Sequence, residues 1–143
     1  MDQQAYYKQS FDFANCDEIC LVDDDDVSHL DNRLIIHKLY PLKKVVTFTG
    51  LIPALHHLRF EPIVNRIVFL DLNMGEDTGF DFLSSLIKYN IHNTKVAILT
   101  HSRFMLNKRV AFQFEPVGAY LIKPLSELII TEMITERQHF IKD

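Results

Sequence analysis

The sequence predicts an α/β domain in three layers, a doubly wound five-stranded parallel sheet with helices on both faces. Short apolar runs rich in β-branched residues alternate along the chain with longer segments of helical periodicity. The runs are continuous rather than alternating in polarity, which is typical of strands that are covered on both faces. We therefore expect parallel strands joined by right-handed helical crossovers.

Each predicted strand is a short apolar run rich in Val, Ile, Leu, Phe or Ala. The runs are residues 19–22, 45–48, 67–70, 96–99 and 119–122. The segments between and after them are long enough for helices, at about 27–43, 50–60, 79–89, 102–115 and 125–140. One apolar helical face marks the last segment, formed by Leu125, Leu128, Ile129 and Met133.

Length and composition describe one globular domain. The chain has 143 residues, of which 48% are hydrophobic and 24% charged, close to globular averages. The net charge is −4, so the protein lacks the positive electrostatic potential that is typical of nucleic-acid binders. We therefore expect no nucleic-acid partner. Residues 1–13 lack the basic and apolar regions of a signal peptide, and every apolar stretch is far shorter than the ~18 residues that span a bilayer. We therefore expect a soluble cytoplasmic protein without membrane insertion.

The chain divides into an N-terminal extension, residues 1–16, and a domain, residues 17–143. The extension carries aromatic residues that either pack on the domain or form a partner-binding arm, namely Tyr6, Tyr7, Phe11 and Phe13. The last predicted helix ends near the end of the chain, so we expect no output domain. Cys16 and Cys20 are too few for a disulfide framework, and they lack the other ligands of a zinc site.

Polar side chains follow most of the predicted strands. The first strand is followed by an acidic run, the third by a carboxylate, the fourth by a hydroxyl and the fifth by an ammonium group; these residues are Asp23, Asp24, Asp25, Asp26, Asp71, Thr100 and Lys123. Because the carboxyl ends of parallel strands meet at one edge of a sheet, we expect them to lie close together. Asp26, which precedes Val27, is interpreted as a cap of the following helix.

The carboxylates at this edge predict phosphoryl chemistry. Asp23, Asp24 and Asp71 would repel one another unless a hard cation joined them, and Mg²⁺ is the natural candidate. Asp71 stands alone after the central strand and is the candidate nucleophile, because a carboxylate can take a phosphoryl group to give an acyl phosphate. Lys123 either neutralises the acidic cluster as a structural ion pair or, together with the Thr100 hydroxyl, holds an incoming phosphoryl group.

Short motifs surround these strand ends. They read Leu21-Val22-Asp23-Asp24, Phe69-Leu70-Asp71-Leu72-Asn73-Met74, Ile98-Leu99-Thr100 and Gly118-Ala119-Tyr120-Leu121-Ile122-Lys123-Pro124. In order and content they resemble the receiver domain of two-component response regulators, the CheY-like superfamily, over residues 18–141. The resemblance implies the flavodoxin-like strand order 2-1-3-4-5, counted along the predicted strands. It also implies a cis peptide bond between Lys123 and Pro124.

The resemblance implies a role for each residue of the site. Asp71 would be the phosphoacceptor, which takes its phosphoryl group from a sensor histidine kinase or a histidine phosphotransfer protein. Asp24 and Asp71 would bind Mg²⁺ directly, Asp23 would act largely through water, and the backbone carbonyl of Asn73 would complete the protein ligands. Lys123 would contact the phosphoryl group. Such a domain is a phosphoacceptor signalling protein rather than an enzyme, although it assists its own Mg²⁺-dependent phosphorylation and dephosphorylation.

The resemblance also implies a conformational switch. Thr100 would move toward the phosphoryl oxygen, and Tyr120 would follow from an outward to an inward rotamer. The face formed by the fourth helix, the fifth strand and the fifth helix would be the surface for a downstream protein target or a homodimer. On the fourth helix, Met105 and Phe112 are either part of such a surface or a partly exposed apolar pair.

Two positions depart from the family pattern. Gly75 stands where the family usually has proline, and a glycine loosens that loop. His101 follows Thr100 at a position that is commonly small. It either shields the phosphoryl site, and so alters the lifetime of the acyl phosphate, or is an exposed loop histidine.

Two other functions compete with a phosphorylated single-domain response regulator. A degenerate receiver would act as a phosphorylation-independent protein-binding module, but such domains normally lose an acidic, threonine or lysine position, and this chain keeps all of them. An enzyme of the haloacid-dehalogenase type also uses an aspartate nucleophile after an apolar strand. It needs a second aspartate where this chain has Asn73. We therefore expect a regulator that signals by a phosphorylation-dependent conformational switch.

Overall fold

The computed structural model describes residues 4–61, 64–74 and 77–135. Its strands are β1 (Ala5–Tyr7), β2 (Glu18–Val22), β3 (Lys44–Phe48), β4 (Arg66–Leu70), β5 (Asn73–Met74), β6 (Asp77–Thr78), β7 (Thr94–Thr100) and β8 (Val117–Ile122). Its helices are α1 (Asp26–Leu39), α2 (Leu51–Phe60), α3 (Gly79–Lys88), α4 (Met105–Phe112) and α5 (Glu127–Ile134).

The main sheet has the strand order β1-β8-β7-β4-β2-β3. From the opposite edge, the strands β3, β2, β4, β7 and β8 pair in parallel. They correspond to the five predicted apolar runs, which, numbered along the chain, have the order 2-1-3-4-5. The additional strand, β1, pairs antiparallel with β8 and covers that edge of the sheet. The predicted fold class is confirmed, and the sheet has one more strand than the sequence predicts.

Helices cover both faces of the sheet, which explains why the apolar runs are continuous. Successive residues of a strand point to opposite faces. On β2, Cys20 and Val22 pack in a core with residues of α2, α3 and α4. Ile19 and Leu21 pack in a second core with residues of α1 and α5. Both faces of the central strands must therefore be apolar.

Three helices begin at a side-chain cap. Asp25 caps α1, Thr78 caps α3 and Ser126 caps α5, each through a side-chain oxygen that accepts a backbone N–H of the first turn. Asp26 was expected to be the cap of α1, but it lies in the first turn instead. A carboxylate is also favourable there because it faces the positive end of the helix dipole.

Two helices, α4 and α5, begin later than the sequence predicts. α4 begins at Met105 because Ser102 Oγ accepts a hydrogen bond from the backbone N–H of Phe104 and turns the chain before the helix. α5 begins after Ser126, and the last residues of its predicted range fall outside the described part of the chain. No helix within the described ranges is long and apolar enough to cross a membrane.

The described residues of the N-terminal extension pack on the domain. Phe13 is 1% exposed. Its ring stacks on Phe11, Tyr40 and Phe69, with ring centroids 5.8–6.3 Å apart. Tyr7 is equally buried in the same core. These aromatic side chains therefore belong to the core between the sheet, α1 and α5.

Met105 and Phe112 do not form one surface on α4. Met105 is 56% exposed, whereas Phe112 is 9% exposed and packs in the core with α2 and α3. The expectation that both are partner-binding or partly exposed is therefore wrong for Phe112, because the turn of α4 directs it toward the sheet.

Candidate functional site

Four neighbouring strands bring polar residues to the carboxyl edge of the sheet. Asp23 follows β2, Asp71 follows β4, Thr100 ends β7, and Lys123 follows β8. These strands are adjacent in the order β8-β7-β4-β2, so the four residues come together as the parallel topology predicts. Asp23, Asp71 and Thr100 are all buried, at 5%, 7% and 0% exposure.

Lys123 joins two of the carboxylates. Its Nζ donates to Asp23 Oδ2 at 2.5 Å and to Asp71 Oδ2 at 2.9 Å. All three side chains are at least nine-tenths buried. Burial alone would lower the pKa of Lys123, but the two carboxylates outweigh it and raise that pKa above its usual value. Lys123 is therefore a permanent ammonium group.

Backbone groups orient the other oxygens of the two carboxylates. Asp23 Oδ1 accepts the N–H of Asp25 at 2.9 Å, and Asp71 Oδ1 accepts the N–H of Asn73 at 3.1 Å. Each carboxylate thus has one oxygen directed to Lys123 and one held by the loop that follows its own strand. This arrangement fixes the rotamers of both side chains.

The charges of this edge suit a hard cation. Lys123 supplies one positive charge to the buried carboxylates of Asp23 and Asp71, and Asp24 lies exposed between Asp23 and the start of α1. The local charge is negative even with Lys123 in place, and the donors are carboxylate and carbonyl oxygens, the ligands that Mg²⁺ prefers. The exposed Asn73 belongs to the same loop as Asp71. The donor types therefore suit a Mg²⁺ ion, but within the described residues the carboxylates of Asp23, Asp24 and Asp71 do not all lie within ligand distance of one another.

Thr100 ends β7 and Tyr120 lies in β8, the two strands next to Lys123. The carbonyl of Thr100 accepts the backbone N–H of Lys123 at 2.9 Å, and Thr100 Oγ1 accepts the N–H of Ser102 at 3.3 Å. The hydroxyl of Tyr120 donates to the carbonyl of Ser102 at 2.8 Å. Burial raises the pKa of Tyr120. Ser102, which sequence reasoning missed, connects the two predicted switch residues. The Lys123–Pro124 bond is cis, as the resemblance implies.

Gly79 supports the loop of Asp71, a role that its residue type does not reveal in the sequence. The strands β5 and β6 form a small hairpin after Asp71 that leads directly into α3. The N–H of Gly79 donates to the carbonyl of Leu72 at 2.9 Å. A Cβ at position 79 would lie 2.9 Å from Leu72 Cα and 3.0 Å from the carbonyl oxygen of Asp71. Only glycine allows α3 to approach this loop so closely.

The two departures from the family pattern have different outcomes. His101 is exposed, next to the buried Thr100. An exposed His101 agrees with a histidine that shields the phosphoryl site and also with an ordinary loop histidine. The effect of His101 on the lifetime of an acyl phosphate therefore stays a prediction. Gly75 lies outside the described residues.

A second charged cluster lies at the opposite, amino edge of the sheet. Glu18, 2% exposed, accepts hydrogen bonds from His57 Nε2 at 2.7 Å and Arg66 Nε at 2.9 Å, and pairs with Lys44 at 3.0 Å. Burial alone would raise the pKa of Glu18, but these partners outweigh it and lower the pKa to about 2. Cys20 completes a group with the ligand types of a metal site. The two flanking cations oppose a metal ion there, so we interpret this cluster as structural.

Comparisons with known proteins agree with this geometry. No family model matches the sequence, and no curated protein matches it. A two-component response regulator from Cytophaga hutchinsonii is 21% identical, with a TM-score of 0.72 and coverage of 83% of this chain and 94% of that chain. One from Legionella pneumophila is 24% identical, with a TM-score of 0.70 and coverage of 81% and 93%.

The chemotaxis response regulator CheY4 of Vibrio cholerae is 19% identical to this chain. Its TM-score is 0.68, and the match covers 82% of this chain and 94% of that chain. The protein therefore has the CheY-like fold of response regulator receiver domains. At these identities the likeness establishes the fold, whereas a function must be argued from the residues of the site.

Proposed function

We propose that this chain is a single-domain response regulator that accepts a phosphoryl group on Asp71. The donor is a phosphohistidine of a sensor histidine kinase or a histidine phosphotransfer protein in the cytoplasm. The observation that carries the proposal is the buried cluster in which Lys123 contacts both Asp23 and Asp71 at the carboxyl edge of the sheet. The receiver fold supports it, because that edge is where open α/β sheets bind their ligands.

Asp71 is oriented to act as the nucleophile. The N–H of Asn73 and the ammonium of Lys123 hold its two oxygens. One carboxylate oxygen attacks the phosphorus of the phosphohistidine, a P–O bond forms, and the P–N bond breaks. The imidazole leaves with the electron pair of that bond and takes up a proton from solvent. Lys123 exchanges its contact with Asp71 for a phosphoryl oxygen, so that a charge-assisted hydrogen bond is kept.

Charge neutralisation is the second requirement of the transfer. Asp23, Asp24, Asp71 and the backbone carbonyl of Asn73 are the residues that would hold Mg²⁺. When bound, Mg²⁺ supplies positive charge for the phosphoryl oxygens. Lys123 carries its charge before the transfer because Asp23 and Asp71 raise its pKa.

The switch consists of Thr100, Ser102 and Tyr120. The Thr100 hydroxyl binds a phosphoryl oxygen and gives up its contact with the N–H of Ser102. Because Ser102 also accepts the hydroxyl of Tyr120, a change at Thr100 reaches Tyr120 through one residue. Phosphorylation then shifts the population of the segment that contains α4.

Intact-mass measurement after incubation with acetyl phosphate and Mg²⁺ tests the proposal. We expect one phosphoryl group on the wild type, none on Asp71→Asn, and a strong decrease in the adduct without Mg²⁺. Asp17→Asn is the matched control. It changes an exposed aspartate that hydrogen-bonds the N–H of Asn65 at the other edge of the sheet, and it should be phosphorylated like the wild type.

An adduct that persists in Asp71→Asn would contradict the proposed acceptor. If no adduct forms at any incubation time, the chain is better described as a degenerate receiver that binds a protein independently of phosphorylation.

A further inference from the structure

Residues 4–11, which we call the strap, run along the β8 edge of the sheet. β1 pairs antiparallel with β8, and hydrogen bonds extend the pairing at both ends. The N–H of Ile122 donates to the carbonyl of Gln4, and the N–H of Lys8 donates to the carbonyl of Gly118, both at 2.8 Å. The strap thus pairs with β8 from Gly118 to Ile122, in the strand that contains Tyr120 and leads to Lys123.

The strap contacts α4 and the segment that leads into it. Three pairs make these contacts, namely Gln4 with Arg103, which precedes the helix, Tyr6 with Lys108 in the helix, and Lys8 with Phe112 at its end. The ammonium of Lys108 lies 3.8 Å from the centre of the Tyr6 ring. The ammonium of Lys8 donates to the carbonyl of Phe112 at 2.9 Å, and so satisfies a backbone acceptor at the end of α4.

The opposite face of the strap is anchored on α5. The hydroxyl of Tyr7 donates to Glu132 Oε1 at 2.9 Å, and the N–H of Phe11 donates to the carbonyl of Met133 at 2.7 Å. Tyr6 and Tyr7 point to opposite faces because they are consecutive residues of a strand. The strap therefore holds α4 with one face and α5 with the other.

Tyr6 is the direct neighbour of Tyr120. The two residues are paired in the register of β1 and β8, and directly opposite residues of an antiparallel pair project from the same face of the sheet. Both belong to the core on the α4 side. Tyr120 is 1% exposed, and its hydroxyl is bonded to Ser102. Tyr6 and α4 thus cover the side of Tyr120 that faces the edge of the sheet.

We propose that the strap is a positioning element that holds Tyr120 in its buried position and keeps α4 against the sheet through Tyr6. Tyr120 is held by its register partner Tyr6 in the strap and by the carbonyl of Ser102, three residues before α4. The N-terminal segment thereby sets the equilibrium of the switch before any change at the phosphoacceptor. The assignment of Tyr120 as a switch residue rests on the proposed function, whereas the positioning of Tyr120 does not.

Chemical modification of Tyr120 in the full-length protein tests this role. Nitration by tetranitromethane, located by peptide mass, reports the access of reagent to each tyrosine ring. In Tyr6→Ala we expect nitration of Tyr120 to be about three- to tenfold faster than in the wild type. Tyr89→Ala is the matched control, because Tyr89 also has a cation 3.8 Å from its ring centre, but on Arg59 and away from the strap.

Hydrogen exchange separates positioning from a general loss of stability. In Tyr6→Ala we expect faster amide exchange in α4, with β2 and β4 unchanged. Lys108→Met, which removes only the cation above the Tyr6 ring, should change α4 in the same direction and by a smaller factor. If Tyr120 stays protected in Tyr6→Ala, or if exchange rises equally in all strands, the strap is not a positioning element.

The outcome is independent of the phosphorylation experiment. A wild type that takes a phosphoryl group from acetyl phosphate, combined with an unchanged Tyr120 in Tyr6→Ala, contradicts the strap alone. An exposed Tyr120 in Tyr6→Ala, combined with a wild type that forms no adduct, contradicts the proposed function alone.

Discussion

At the scale of single residues, the acidic run after β2 divides into different roles. Asp23 is buried and paired with Lys123, Asp24 is exposed, Asp25 caps α1, and Asp26 lies in the first helical turn. The four consecutive carboxylates look alike in the sequence. They point in different directions because the backbone changes from the end of a strand to the start of a helix over these residues. The backbone position of each aspartate, rather than its residue type, therefore determines which carboxylate contacts Lys123.

Substitutions at Asp24 and Asp25 should separate metal binding from helix capping. We expect Asp24→Asn to weaken Mg²⁺ binding by roughly tenfold or more, because it removes a charged oxygen ligand, and to leave the free energy of unfolding nearly unchanged. Asp25→Ala should lower that free energy by about 1 kcal/mol, because it removes the cap of α1, and should retain Mg²⁺ binding. Calorimetric titration with Mg²⁺ and urea unfolding measure the two effects.

Equal loss of Mg²⁺ binding in the two variants would contradict this division of roles. The charge change is the same in both, so a simple electrostatic effect of the acidic run would affect them alike.

The sequence predicted that these polar residues meet at one edge of the sheet because strand ends are easy to locate. Asp23, Asp71, Thr100 and Lys123 each follow or end an apolar run, and parallel topology brings them to one edge. Ser102 was missed because its contribution depends on its carbonyl, which accepts from Tyr120 and leaves no signal in the residue type.

At the scale of elements, the hairpin β5–β6 and the start of α3 hold the loop of Asp71. Gly79 allows α3 to begin against the backbone of Asp71 and Leu72. A methyl group at this position would need to displace backbone atoms rather than a flexible side chain. The position of Asp71, the proposed nucleophile, therefore depends on a glycine that has no functional group.

We expect Gly79→Ala to lower the free energy of unfolding by about 1–3 kcal/mol and to weaken Mg²⁺ binding, because overpacking shifts the Asp71 loop. Gly50→Ala is the control, since a Cβ at position 50 meets only Pro53, at an ordinary contact distance of 3.5 Å. Urea unfolding and Mg²⁺ titration of both variants measure the difference. A Gly79→Ala protein that matches Gly50→Ala in both would show that the loop tolerates a side chain here.

The amino edge of the sheet predicts a defined dependence of stability on pH. The pKa of Glu18 is about 2 in the folded protein, below its unfolded value, so its contribution is complete above about pH 4.5 and is lost as the pH falls toward 2. The contribution should be about 2–3 kcal/mol. We expect the unfolding free energy of the wild type to fall more steeply between pH 5 and pH 3 than that of Glu18→Gln.

Urea unfolding at several pH values measures both curves, and the difference between them removes the effect of the other carboxylates. Glu18→Gln should also be less stable at pH 7, because Arg66 keeps a charge that has lost its partner. Parallel curves for the two proteins would show that Glu18 titrates normally.

Apolar runs predicted all five parallel strands, but the small elements leave no such pattern in the sequence. β5 and β6 have two residues each, and β1 has three, so their apolar patterns are too short to identify a strand. The Glu18 cluster was missed for another reason. Its members are the first residues of three strands and one helical residue, and only the assembled sheet brings them together.

At the scale of the whole molecule, the N-terminal residues complete both the sheet and the core on the α5 side. β1 covers the edge of β8, and Phe13 lies among Phe11, Tyr40 and Phe69. If a protein partner binds the face formed by α4, β8 and α5, it therefore also meets residues of the strap. The edge of β8 itself is already paired.

We expect Phe13→Ala to lower the free energy of unfolding by about 3–5 kcal/mol, because a buried aromatic ring leaves a cavity in a packed core. Phe60→Ala is the matched control, since Phe60 is 63% exposed and should change that free energy by less than about 1 kcal/mol. Urea unfolding compares the two. Equal small effects would mean that the N-terminal residues are dispensable for the fold.

The central claim is that the acidic edge forms an acyl phosphate on Asp71, and reductive trapping tests it most directly. Borohydride reduces an acyl phosphate of aspartate to homoserine, which peptide sequencing then locates. After incubation with acetyl phosphate and Mg²⁺, we predict homoserine at position 71 alone. Homoserine at position 23 or 24, or its absence from a protein that carries a phosphoryl group, would contradict the account.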